Sequence, residues 1–311
     1  RTDVDPLPRA VCIRLTGSAN FLDNGQPHSE DIHMANKFLR RAALKSEFKI
    51  KGLVTRRVPN RVDPFASPVA RKPILHCCYH KVGTVWFSRV LRGIAAEFGL
   101  RYGAGATYSQ ILRFERQQDS DVFLDLGSHV RTAELGDFVG SHMIRDPRDM
   151  VVSGYFYHKW TDETWANIPL AEYRGQTYRE HLNNISEPEG LAEEIRRMAF
   201  WVPHMASWNF NDDRFYEIRY EEIIKDEERV FKGMFEHFGF HSKAVEKCLR
   251  VCRKYSFRRM VPAASDGKRS HLRSGKSGEW QHHFHEEHRS LFKSLYPGAL
   301  EALGYEKDDN W

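Results

Sequence analysis

Ile74-Leu75-His76-Cys77-Cys78-Tyr79, running directly into His80-Lys81-Val82-Gly83-Thr84-Val85-Trp86, is the stretch on which the fold turns. The first six residues form a short, nearly continuous apolar run, which reads as a strand buried on both faces. Past Gly83 the period changes. Val85, Trp86, Val90, Leu91, Ile94 and Phe98 recur at helical spacing, and Gly99 supplies the stop. The N–H groups at such a helix start are unpaired and carry the positive end of the helix dipole, which favours an anion. Gly83 lets an anion approach the backbone, Lys81 adds a full charge and Thr84 a hydroxyl. The loop is not the eight-residue motif of nucleotide triphosphatases, because the first glycine is missing and the lysine precedes Gly83. A lone Lys-x-Gly-Thr is more often a structural turn, so the reading depends on what accompanies it.

Further strands are read at Val122–Leu124, Phe138–Ile144 and Phe215–Tyr220, with helices starting near Pro147 and running over Glu222–Phe238. Strands separated by helices predict an α/β fold, a central parallel sheet flanked by helices, with a P-loop-like strand-loop-helix at the C-terminal end of the first strand. Residues 1–70 are punctuated by Pro6, Pro8, Pro27, Pro59, Pro64 and Pro68 and read as an N-terminal extension with one helix around Ser29–Phe48. Residues 71–311 read as the domain.

With 311 residues, 41% hydrophobic and 13% aromatic, the chain has enough apolar material for a core, and global disorder is excluded. The net charge of +5 is unevenly spread: Arg250 to Lys276 holds nine Lys or Arg and one acid, Asp266. Such an excess serves either a solvated face or an anionic ligand. Five cysteines, an odd number, do not describe a disulfide framework, and Cys77 and Cys78 read as small buried hydrophobes. No apolar stretch approaches the roughly 20 residues that span a bilayer. A cytoplasmic location is expected. The Golgi lumen or another compartment stays open, since a chain beginning at Arg1 is compatible with a removed anchor.

A second constellation is Arg145-Asp146-Pro147-Arg148-Asp149 through Ser153. Asp146 suits an N-cap, Pro147 the first helical position and Asp149 the acid of a capping box. Arg145 then leaves a strand end beside a helix start, and Ser153 returns to the same face two turns on. Together they can hold a phosphate through charge-assisted bonds; a well-capped structural helix explains the motif equally well. The third is Arg273-Ser274-Gly275-Lys276-Ser277-Gly278, two glycines three apart among cations, the form of a loop shaped around an anion. Upstream, Ser256-Phe257-Arg258-Arg259-Met260 sets an aromatic among cations, suited to stacking on a base.

In this order and spacing, from about Ile74 to Tyr305, these segments resemble the sulfotransferases that use 3′-phosphoadenosine-5′-phosphosulfate (PAPS) and release adenosine 3′,5′-bisphosphate (PAP). The resemblance implies a 5′-phosphosulfate loop at His80, Lys81, Val82, Gly83, Thr84, Val85 and Trp86, with Trp86 beside adenine. It implies a 3′-phosphate site at Arg145 and Ser153, joined by Arg273, Ser274 and Gly275. Tyr220 in Arg219-Tyr220-Glu221-Glu222, and Ser256, Phe257 and Met260, fall near adenine. Three positions depart from the pattern. Val85 stands where many members have a second threonine, Ser274 where they have lysine, and His80 where cytosolic members have proline. His129, after a strand, matches the family's base, although Gly127-Ser128-His129-Val130 differs from the usual Lys-Thr-His. His142 reads as a core histidine. Tyr155, Phe156, Tyr157, His158, Trp160 and Trp165 divide between core and acceptor pocket.

The expected enzyme is thus a PAPS-dependent sulfotransferase with Lys81 and His129 as catalytic residues, acting on a small-molecule, lipid or glycan hydroxyl or amine. No nucleic-acid partner and no metal are expected. His282, His283, His285 and His288 correspond to a metal-free helix start in the family. The alternatives are a P-loop kinase, which would need a glycine-rich loop ending in Gly-Lys-Ser/Thr, and a non-catalytic nucleotide- or polyanion-binding module.

Overall fold

The computed structural model of the chain describes residues 62–105, 120–128, 136–260 and 275–311. Five parallel strands, β1 (Ile74–Cys78), β2 (Tyr102–Gly105), β3 (Val122–Leu126), β4 (Val139–Ile144) and β5 (Phe215–Arg219), form one sheet in the order β2-β3-β1-β4-β5. β1 is the centre, with Ile74 level with Val122 on one side and Val139 on the other. Every residue of β1 and β4 is buried, as their near-continuous apolar runs require of inner strands. Because the chain leaves β1 to build one side of the sheet and returns to build the other, the loop after β1 opens at the point where strand order reverses. Ligands of open α/β sheets bind there.

The longer helices are α1 (Thr84–Phe98), α2 (Pro147–His158), α3 (Tyr178–Asn184), α4 (Glu187–Arg197), α5 (Glu227–His237), α6 (Ser242–Lys254) and α7 (Glu286–Leu295). The larger core joins Ile74, Cys78, Leu124, Met143 and Ile218 of the sheet to Trp86, Phe87, Leu91 and Phe231 of the helices. A smaller cluster, Leu75, Cys77, Phe123, Phe138 and Phe215 with Trp208 against it, covers the opposite face. Phe65 already belongs to the larger core, bridging Phe240 edge-on at 5.1 Å. Among the described residues no helix is long and apolar enough to cross a membrane.

Two elements differ from the sequence reading. β2, Tyr-Gly-Ala-Gly, carries no β-branched residue, yet a Cβ at Gly103 would collide with Ser120, so close approach to its neighbour favours glycine there. The helix read over Glu222–Phe238 is broken: a turn at Tyr220–Ile223 ends, and Asp226 restarts the chain as α5 by accepting from the Arg229 N–H at 3.0 Å.

Candidate active site

The loop from β1 to α1 is held in an uncommon shape. Lys81 has φ 66 and Gly83 has φ 110, so two residues out of three occupy the left-handed side of conformational space. Glycine takes that shape without strain and lysine does not. What fixes it is the surroundings. Val82 is fully buried, and the Thr84 hydroxyl donates to the Tyr79 carbonyl at 3.0 Å. Thr84 thus closes the loop on itself. Gly83 caps α1 and brings no side chain to the first-turn N–H groups. The Lys81 ammonium rests 3.7 Å from the centre of the Tyr157 ring, a cation–π contact.

Arg145 joins the separate segments. It leaves the end of β4 and is 6% exposed. Its Nη1 donates to the Lys81 carbonyl and its Nη2 to the Lys276 carbonyl, each at 3.2 Å. The guanidinium lies 4.3 Å from the centre of the Tyr220 ring. Its Nε is buried and has no hydrogen-bond partner among the described residues. A guanidinium fixed at both ends with one donor unused is preorganised for an anion. Asp146 caps α2 as expected, accepting from the Arg148 N–H at 2.9 Å. Asp149 does not close a capping box. Glu221 accepts from the Asp146 N–H at 3.0 Å instead, and the Asp149 carboxylate takes the N–H groups of Gly278 and Trp280 at 2.7 and 3.0 Å. One buried acid therefore pins the glycine-containing loop beside Arg145. Ser153 lies two turns along α2 and is partly exposed.

An aromatic slot adjoins. Trp86 is fully buried, edge-on to Phe257 at 5.4 Å and to Phe231 at 5.6 Å, and its indole N–H has no partner among the described residues. Phe257 faces Tyr220 at 6.2 Å, and a Cβ at Gly275 would collide with the Phe257 ring. Ser256 caps the short helix Phe257–Met260 with its carbonyl, and Met260 is buried. Val85 is partly exposed on the first turn of α1. Lys81, Gly83, Trp86, Arg145, Tyr220, Phe257 and Gly275 thus converge, whereas His129, Arg273 and Ser274 lie outside the described residues. The reading missed Lys276 as a backbone partner of Arg145; only its position beside Gly275 pointed to it.

Of the remaining candidates, two rings of the histidine-rich segment, His283 and His288, are engaged. His283 lies 2.7 Å from Glu187, and the His288 Nε2–H donates to the Pro188 carbonyl at 2.8 Å while its Nδ1 accepts from the His285 N–H. His142 is fully buried against Trp208 at 3.8 Å, with Nδ1 2.7 Å from Glu217 and Nε2 3.3 Å from the Tyr79 hydroxyl.

Burial makes the interior histidines reluctant bases. It pushes His76 down from 6.5 to about 3 and His204 to about 4, and lowers His142 and His158 as well. Below pH 6.5 the unfolded chain binds protons that the folded chain refuses, so stability falls as pH falls. His76 alone contributes a loss of about 1–2 kcal/mol between pH 6.5 and 5. Glu194 acts oppositely, since burial raises its carboxyl from 4.5 to about 7 and the folded chain holds that proton more tightly. His204 adds to the His76 loss, and His142 and His158 act in the same direction, against the raised carboxyls of Glu194, Asp149, Glu221 and Glu227. Calorimetric melting should therefore show Tm dropping by several degrees from pH 7 to pH 5; a flat or rising Tm would contradict this balance.

A glycine-bearing loop at the switch point of a parallel α/β sheet, with a buried arginine and an aromatic slot beside it, has the form that a nucleotide anion requires. Residues 142–304 match the family model described as the sulfotransferase domain, and the chain belongs to that family. The match begins within β4, so β1 and the Lys81 loop lie outside it. The 3-beta-hydroxysteroid sulfotransferase of Cavia porcellus is 23% identical over 169 residues, covering 50% of this chain and 53% of the relative. Sulfotransferase 2A1 of Homo sapiens is 23% identical over 175 residues, covering 52% and 56%. The chain thus spans about half the length of the curated relatives it matches. The solved structure of mouse sulfotransferase SULT7A1, complexed with PAP, superposes with a TM-score of 0.50 at 19% identity, covering 74% of this chain and 85% of that one. That likeness supports the α/β fold.

Proposed function

We propose that the chain transfers a sulfuryl group from PAPS to a hydroxyl or amine of an acceptor and releases PAP. The observation that carries the reading is Arg145, whose fork spans the carbonyls of Lys81 and Lys276 and whose buried Nε has no partner among the described residues. Two anion sites follow from it. The start of α1 with Lys81 suits the 5′-phosphosulfate, and Arg145 with Ser153 and the Arg273–Gly275 loop suits the 3′-phosphate. Trp86, Tyr220 and Phe257, with Ser256 and Met260, bound the adenine side.

The chemistry asks for little beyond in-line positioning and charge stabilisation. The acceptor oxygen bonds to sulfur, the bond from sulfur to the bridging phosphate oxygen breaks, and its electron pair stays on that oxygen. Lys81 leaves the Tyr157 ring to meet that growing charge. His129 is the base that the family resemblance names for the acceptor proton. The Cavia porcellus relative's name makes hydroxylated steroids the first acceptors to try, with other small-molecule, lipid and glycan alcohols after them.

If both anion sites are used, PAP should bind far better than adenosine 5′-phosphate, which lacks the 3′-phosphate. Each hydrogen bond to a charged group contributes about 1.5–3 kcal/mol, so at least a tenfold difference in Kd is expected. Thermal shift with PAP, adenosine 5′-phosphate and ATP at equal concentration checks this. Equal stabilisation by the three would overturn the two-site reading.

A further inference from the structure

The donor loop is tied to the helical layer through His80. His80 Nε2 lies 2.9 Å from His158 Nε2, the two rings stacked at 5.1 Å and 6°. His158 Nδ1 lies 2.5 Å from Glu194 Oε1, which also accepts from the Tyr178 hydroxyl at 2.7 Å. His158 and Glu194 are fully buried, while His80 is partly exposed and immediately precedes Lys81. Both His80 and the Lys81 ammonium pack on Tyr157, at 5.8 and 3.7 Å, so the outer end of the chain sits on the same ring as the lysine assigned to the sulfuryl group.

A fully buried carboxyl is a costly buttress, since an amide or hydroxyl would tie the loop without the desolvation. The backbone makes room for it nevertheless: a Cβ at Gly154 would press to 2.7 Å from Glu194 Oε2. The bonds also allow two proton arrangements. With Glu194 ionised, His158 Nδ1–H donates to it, His80 Nε2–H donates to His158 Nε2, and the His80 lone pair falls on Nδ1. With Glu194 protonated, both donors reverse and His80 carries its proton on Nδ1. The arrangements differ by one proton, gained at His80 and stored at Glu194.

We propose that His80, in place of His129, takes the acceptor's proton and passes it through His158 to the buried carboxylate of Glu194, where it is stored; this rests on the sulfotransferase reading. The O–H proton passes to His80 Nδ1, His80 Nε2–H to His158 Nε2, and His158 Nδ1–H to Glu194. The O–H electron pair becomes the new O–S bond, and the proton returns to solvent after release. His80 is the residue that meets the acceptor; His158 and Glu194 act through it. The groups facing Glu194 are His158 from α2, Tyr178 from α3, Arg197 of its own helix end and the charge of Lys81. Burial raises the carboxyl to about 7, against the pull of Arg197 and Lys81, while burial and those same two cations hold His158 well below 6.5. A proton entering the chain therefore comes to rest on the acid.

The test is kcat against pH with PAPS and an aliphatic hydroxysteroid, for wild type, H80Q, E194Q and H129A, alongside PAP affinity. E194Q and H80Q should each lower kcat by about 10²-fold and remove the wild-type fall in rate below neutral pH, and E194Q should leave the Kd for PAP unchanged. The double variant should be no worse than either single one, because both cut one path. Wild-type kcat and pH profile in a folded E194Q, or a parallel loss of PAP affinity, would overturn the relay. So would loss of turnover in H129A alone, while the sulfotransferase reading would stand. No sulfated product from wild type would overturn both. Imidazole nitrogen NMR of the wild-type protein tests it without turnover or variants: the two rings should share one inflection near neutral pH, and independent titration would contradict the relay.

Discussion

Lys81→Ala is expected to lower kcat by about 10²- to 10³-fold while the protein melts within a few degrees of wild type. The side chain is partly exposed and its ammonium rests on the face of Tyr157, so its removal opens no buried cavity. The loop shape does not depend on the ammonium, because it is held by Val82, by the Thr84 hydroxyl and by Arg145 on the Lys81 carbonyl. What is lost is charge aimed at an oxygen that becomes more negative only during transfer, and such interactions act on kcat more than on KM. Steady-state rates at saturating PAPS check this. A kcat within threefold of wild type would remove Lys81 from the catalytic role.

Arg145→Ala should act on binding instead. Truncating one partner of a buried, hydrogen-bonded charge site costs about 2–5 kcal/mol, which corresponds to a Kd for PAP weakened at least 30-fold. Stability should drop with it, because the carbonyls of Lys81 and Lys276 lose their donor and Asp149 loses the cation 3.9 Å away. Arg145→Lys should recover little, since a single ammonium cannot bridge two carbonyls and lie over Tyr220. Titration calorimetry with PAP, with melting of the same samples, measures both. A Kd within threefold of wild type would show that this arginine does not hold the 3′-phosphate.

Much of this was legible in the sequence because local pattern and tertiary role coincide. The switch from a continuous apolar run to helical spacing across Gly83 marks β1, its loop and α1, and all of β1 is buried as such a run predicts. Asp146-Pro147 marks the start of α2 for the same reason, being local capping chemistry. The failures are those of long-range choice. Asp149 looks like a capping acid by position, yet Glu221, 72 residues on in the chain, takes the cap N–H and leaves Asp149 to Gly278 and Trp280. β2 has the composition of a turn and is a strand because its glycines lie close against Ser120 and Phe123. His158 stood in view within an aromatic run. Nothing local pairs it with Glu194 on another helix, so its bond to His80 appears only in three dimensions.

The central claim is sulfuryl transfer, and the most direct measurement follows both products. Wild-type protein is incubated with PAPS and a mixed panel of hydroxysteroids, phenols, other alcohols and amines. Mass spectrometry then quantifies PAP and each sulfated acceptor, with a parallel ATP arm. PAP and one or more sulfated acceptors should accumulate in equal amounts, with no phosphorylated acceptor from ATP. PAPS left intact across the panel by protein that binds PAP, or phosphoryl transfer from ATP, would contradict the account.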